Sequence, residues 1–95
     1  MEFGQIEAFL AVVSEGSFTR AAAQLNLTQP SLSTRIHQLE QSLGGELFQR
    51  DKRPVQLTDL GNVFFNYAER AIGILEAGRE AVRATQIGMV GRVNV

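Results

Sequence analysis

Apolar positions recur at helical spacing along most of the chain. Ile6, Phe9, Leu10 and Val13 fall at i, i+3, i+4 and i+7, one stripe that predicts a helix from about Phe3 to Ser14. Gly16 can end it in a left-handed conformation. Ser17 is then a natural N-cap for a short second helix, in which Phe18, Ala21, Ala22 and Leu25 repeat the stripe. The run Ala21-Ala22-Ala23 has high helix propensity, and its small side chains let another helix approach closely. Asn26 suits a left-handed turn.

A third helix starts sharply, with Thr28 as N-cap and Pro30 in the first turn, where its missing N–H costs little. Leu32, Ile36, Leu39 and Leu43 form its apolar stripe, and Gly44 stops it. Pro30, Ser31, Thr34, Gln38 and Gln41 lie on the opposite face, flanked by Arg35. Two short helices joined by so tight a turn make a helix-turn-helix, set at about 18–37. Leu47-Phe48-Gln49-Arg50 and Val55-Gln56-Leu57 then alternate around Asp51-Lys52-Arg53-Pro54, which predicts a small hairpin, a wing at about 47–57. Thr58 caps the last helix and Asp59 suits its positive end. That helix runs without proline to about Gln86, about 42 Å at 1.5 Å per residue, and is set at 59–87. Leu60, Phe64, Tyr67, Ala71, Ile74, Gly78 and Ala81 keep an alternating spacing of four and three, with Val63, Phe65, Ile72, Leu75 and Val82 beside or beyond that seam. So much apolar surface exceeds what one small domain can cover, and a partner helix is the simplest cover. From Gly88 the pattern turns glycine-rich and then alternating, which predicts a hinge entering a strand over 88–95.

The 95-residue chain carries a net charge of −1, which argues against a generic polycationic coat for nucleic acid. The distribution is more telling than the sum. None of the ten acidic residues lies between Gly16 and Leu39, where Arg20 and Arg35 sit, and three of the four residues from Arg50 to Arg53 are basic. A surface that meets phosphate must lack carboxylates. With no cysteine in the sequence, disulfides, thiolate catalysis and cysteine-based zinc sites are excluded. His37, the single histidine, has no carboxylate at ligand spacing. No phosphate loop, carboxylate pair or nucleophile–base set is visible. These features predict no enzyme, no metal and no cofactor. The absence of a basic start or long apolar run predicts a cytoplasmic protein with no membrane contact.

Beyond these local patterns, the chain resembles the LysR-type transcriptional regulators. The resemblance rests on Ala21-Ala22, Gln29-Pro30, Leu39-Glu40, Leu43-Gly44, Leu47-Phe48-Gln49-Arg50, Arg53, Leu57-Thr58 and Gly61, and helix order and spacing extend it over the whole chain. It implies a mainly helical fold: a winged helix-turn-helix of three helices and a two-stranded wing over 1–58, then a long dimerising linker helix. It further implies an antiparallel pairing of linker helices, a tetramer in the full-length protein, and a C-terminal effector-binding domain starting near Arg92. A small-molecule effector belongs to that domain. The chain departs from the pattern in two places. Thr34-Arg35 stands where many members have Arg then Gln, and Pro54 where many have glycine.

The partner implied is double-stranded DNA with a roughly palindromic site, bound by a homodimer. The third helix would enter the major groove and the wing the neighbouring minor groove. The residues assigned to DNA are Ser17, Thr28, Gln29, Pro30, Ser31, Ser33, Thr34, Arg35, Gln38, Arg50, Lys52 and Arg53. Gln29 is the base reader, because glutamine pairs bidentately with adenine. Arg53 is assigned to the minor groove, where narrow A·T tracts attract arginine. Arg50 has a second, structural reading, paired with Asp51 or a nearby carboxylate. Leu60, Val63, Phe64, Tyr67, Ala71, Ile74, Leu75, Gly78, Ala81 and Val82 are assigned to the dimer interface. The rival is a helical protein-interaction module whose long helix serves as a coiled-coil handle; the carboxylate-free window and the basic wing favour DNA.

Overall fold

A computed structural model describes the backbone of residues 1–93 and the side chains of residues 1–88. The elements are α1 (Phe3–Glu15), α2 (Phe18–Gln24), α3 (Gln29–Leu43), β1 (Phe48–Gln49), β2 (Gln56–Leu57) and α4 (Asp59–Val93). The two strands pair antiparallel, Phe48 opposite Leu57 and Gln49 opposite Gln56. The result is the mainly helical, winged helix-turn-helix architecture with a long terminal helix, 61 × 26 × 21 Å in extent.

The helix boundaries follow from local chemistry. Gly16 ends α1 at φ +66°, and its N–H donates to the Val12 carbonyl. Ser17 Oγ accepts from the Arg20 N–H at 3.2 Å, and Thr28 Oγ1 accepts from the Ser31 N–H at 3.2 Å. Each satisfies an N–H that has no carbonyl partner within its own helix. Asn26 takes the left-handed turn between α2 and α3 at φ +57°, and Gly44 ends α3 at φ +84°. Thr58 both caps α4 and holds it to the preceding turn. Its hydroxyl oxygen accepts from the Gly61 N–H at 3.0 Å and donates to the Glu46 carbonyl at 2.7 Å.

The core lies where α1, α2, α3, β1 and the start of α4 meet. Ala8, Phe9, Val12, Ala21, Leu32, Ile36 and Leu39 are fully buried. Phe9 stacks at 5.3 Å on both Phe48 and Phe64, and Phe18 meets Phe48 at 5.6 Å, in tilted or edge-on geometry. Such pairs add about 0.5–1.5 kcal/mol each beyond their area burial. Gly61 permits the close approach of α4 to the wing, because a Cβ there would lie 2.1 Å from the Leu47 carbonyl oxygen.

Two expectations change. The terminal helix does not give way to a strand at residue 88 but continues to Val93. Gly88 and Gly91 cost a helix about 1 kcal/mol each relative to alanine, whereas a lone strand has no neighbour to take its backbone hydrogen bonds. Asn94 and Val95, the end of the expected hinge, lie outside the described residues. The second change concerns Phe64, whose spacing places it in the seam. It is half-buried, packed against Phe9 of the same chain, so only part of its ring is left for a partner. Gly61 and Ala68 are buried, and Phe64, Phe65 and Ile72 are half-buried. Beyond Ile72 every side chain through residue 88 is exposed. Leu60, Val63, Tyr67, Ile74, Leu75 and Val82 are all more than half exposed, Ile74 most of them at 72%. Ala71, Gly78 and Ala81 are exposed alongside them. No helix among the described residues is long and apolar enough to cross a membrane.

Candidate nucleic-acid interface

The burial of Leu32, Ile36 and Leu39 fixes the roll of α3 about its axis. Pro30, Ser31 and Thr34 therefore face solvent, and Gln29, in line with the buried stripe but at the open N-terminal end, is exposed as well. Thr28 is engaged with Ser31 twice: its hydroxyl accepts from the Ser31 N–H and donates to Ser31 Oγ at 2.8 Å. Gln29 is also held, since the Thr19 hydroxyl in the first turn of α2 donates to Gln29 Oε1 at 3.1 Å. Thr19 is a residue that sequence reasoning misses. Its only signal there is its place two residues after the Ser17 cap, in the turn that faces the start of the next helix.

Between these residues and the wing lies a cleft of about 290 Å³. Ser17, Thr19, Gln29, Ser33, Arg50 and Arg53 contribute to its walls. The structure thus brings five of the twelve assigned residues, Ser17, Gln29, Ser33, Arg50 and Arg53, to one cleft. Ser17 serves mainly as the α2 cap, and Ser33 is half-buried at the edge of the cleft.

Three assigned residues have partners within the protein itself. The Arg35 guanidinium turns toward α1, where Nη1 donates to the Gly4 carbonyl at 3.5 Å. Gln38 Oε1 accepts from Gln5 Nε2 at 3.2 Å, so it too lies on the α1 side of α3. Both also lie farther along the helix, about 9 and 14 Å from Gln29 at 1.5 Å per residue. Arg50, the third, takes its structural reading, with Glu40 rather than Asp51 as the close partner. Arg50 Nη2 lies 2.9 Å from Glu40 Oε1, and its guanidinium covers the Phe18 ring at 5.3 Å. The other Glu40 oxygen accepts from the buried Leu47 N–H at 2.8 Å. Glu40 is 6% exposed, so its carboxylate is turned inward and paired with Arg50, whereas Glu46, 3.9 Å from the same guanidinium, stays exposed. Sequence spacing marks Glu40 only as part of a motif, without this role.

The wing tip holds the exposed cations. Lys52 and Arg53 both face solvent, and Arg53 Nη1 donates to the carbonyls of Arg50 at 2.6 Å and Lys52 at 2.9 Å. Those bonds fold one side of the guanidinium onto the turn and leave Lys52 as the projecting charge. Together the cleft, the hydroxyls at the start of α3 and the cationic tip can hold an anionic backbone while presenting Gln29 to whatever lies beside it.

Comparison with known proteins places this arrangement among relatives. Residues 3–62 match the family described as bacterial regulatory helix-turn-helix protein, lysR family. The chain is 47% identical over 83 residues to the probable cat1 operon transcriptional activator of Acinetobacter lwoffii, covering 87% of this chain and 27% of that protein. It is 40% identical over 95 residues to the HTH-type transcriptional regulator ClcR of Pseudomonas putida, covering all of this chain and 32% of that one. The chain therefore spans about a third or less of these curated relatives. Among solved structures, the BenM DNA-binding domain in complex with catB site 1 DNA superposes with a TM-score of 0.83 at 38% identity, covering 87% of this chain and 93% of that one.

Proposed function

Because the chain belongs to the LysR family of bacterial regulatory helix-turn-helix proteins, we propose that it binds double-stranded DNA sequence-specifically and so regulates transcription. In this reading residues 1–58 form the reading head. The start of α3 enters the major groove and the wing follows the neighbouring minor groove. The exposed seam of α4 pairs with a second copy, so that two heads meet a roughly palindromic site. The reading also places the protein in the cytoplasm and assigns it no catalytic step. One observation carries it: Gln29, Ser31 and Thr34 face outward beside the cationic wing, on a stretch free of carboxylates from Gly16 to Leu39. The DNA complex of the BenM domain, similar over most of this chain, supports it.

Gln29 is assigned the base-reading role and the wing the charge. Gln29→Ala is expected to lose about 1–3 kcal/mol at the preferred site and to relax one or two base positions. Its non-specific binding should stay as it was, because Gln29 carries no charge. Selection of bound sequences from a random DNA pool, run for both proteins, tests this; identical selected motifs would remove Gln29 from readout.

Arg53→Ala is expected to weaken binding to all sequences and to flatten log affinity against log salt by about one unit for each phosphate it no longer neutralises. Should Arg53 unfold from the turn carbonyls into the minor groove, the weakening concentrates on sites with A·T-rich flanks. A salt titration by fluorescence anisotropy measures both. An unchanged affinity and slope would take Arg53 out of the interface.

A further inference from the structure

Gln29 stands exposed at the first turn of α3, and its amide oxygen accepts a hydrogen bond from α2. The Thr19 hydroxyl donates to Gln29 Oε1 at 3.1 Å, from a helix held against α3 through the buried Ala21 and Ala22. Thr19 is β-branched and therefore restricted at χ1. Gln29 is itself the first residue of α3, directly behind the Thr28 cap, so the helix fixes its backbone. Both ends of the hydrogen bond are thus built on restrained positions, although both side chains are exposed.

The direction matters because the two ends of a glutamine amide are opposites, an acceptor and a donor. Adenine presents N7 as acceptor beside N6–H as donor, and in a T·A pair the same two groups run in the reverse order across the major groove. An amide free to turn over can follow either order. The bond from Thr19 uses one lone pair of Oε1, and leaves the other lone pair and both Nε2 hydrogens for a base.

We infer that Thr19 is a positioning residue for base readout: its hydroxyl holds the Gln29 amide oxygen on the α2 side, so that Gln29 distinguishes an A·T pair from T·A at the position it reads. The inference rests on the base-reading role proposed for Gln29. Thr19 itself touches no base in this scheme.

The test uses the whole chain and selection from a random DNA pool, with titrations on sites carrying A·T or T·A at the position that Gln29→Ala relaxes. Thr19→Val keeps shape and removes the hydroxyl. It is expected to reduce the A·T over T·A preference there about 3- to 10-fold, the range for removal of one neutral hydrogen bond. Thr19→Ser keeps the hydroxyl and is expected to retain the preference. On a Gln29→Ala background, Thr19→Val is expected to add nothing. Thermal melts compare folding; if valine alters the melt, Thr19→Ala replaces it, since the position is exposed. The inference alone is overturned if Thr19→Val leaves the preference intact while Gln29→Ala relaxes it. Equal weakening of every sequence would overturn it too, by making Thr19 a backbone contact, as would an undiminished effect of Thr19→Val in the Gln29→Ala protein. If Gln29→Ala itself changes no preference, the reading of Gln29 fails first and takes this inference with it.

Discussion

Replacing Glu40 with alanine is expected to destabilise the domain by about 3 kcal/mol, more than any surface change at the interface. The carboxylate is 6% exposed and has two partners: the Leu47 N–H at 2.8 Å and Arg50 Nη2 at 2.9 Å. Alanine would leave the Leu47 N–H buried without an acceptor, and such a group costs about 1–3 kcal/mol. It would also release Arg50 from its close carboxylate, with only Glu46 remaining at 3.9 Å. Because the Arg50 side chain is 42% exposed, water takes over much of the ion pairing, so most of the cost belongs to the amide. Glu40→Gln keeps an acceptor for Leu47 and is expected to cost about half as much. Urea unfolding followed by circular dichroism, at one protein concentration, measures both. An alanine variant within about 0.5 kcal/mol of the parent, the range of neutral surface changes, would show that this junction contributes little.

Ile74→Glu is expected to convert the protein to monomers and to weaken binding to a palindromic site by about 100-fold, the lower range of what linking two heads contributes. Ile74 is the most exposed of the seam's large apolar residues, so a charge there is expected to leave the fold of the chain undisturbed. In a paired helix it would have to be buried. Affinity for an isolated half-site is expected to stay as it was. Sedimentation velocity reads the assembly and anisotropy the binding. A variant that still sediments as a dimer would move the interface elsewhere. Phe64 is unsuitable for this test, because a glutamate there would break its contact with Phe9 inside the subunit.

Glu40 and Phe64 also mark where the sequence stops being legible. Helix ends can be read from it because they depend on residues a few places apart: Gly16, Ser17, Asn26, Thr28, Gly44 and Thr58 each take the local role their chemistry suggests. The wing is legible from alternation around its turn. Side-chain destinations are not, because they depend on partners far along the chain. Arg35 meets Gly4, Gln38 meets Gln5, and Phe64 meets Phe9. In each case α1, 30 or more residues away, supplies a partner that periodicity within a single helix cannot reveal. The end of α4 departs from expectation for a different reason. A glycine-rich alternating run becomes a strand only if a sheet stands ready to receive it.

The wing is fastened on two sides: the Val55 N–H donates to the Gly16 carbonyl at 2.9 Å, and Arg50 is bound to Glu40 of α3. These two ties set the gap between helix and wing within the protein itself. A rigid two-pronged caliper cannot adjust to the object it measures. If both prongs engage, differences in groove width and curvature have to be absorbed by the duplex, at an elastic cost that depends on base steps neither prong touches. Stiff and pliable sequences with identical contacted bases would then be separated by mechanics alone.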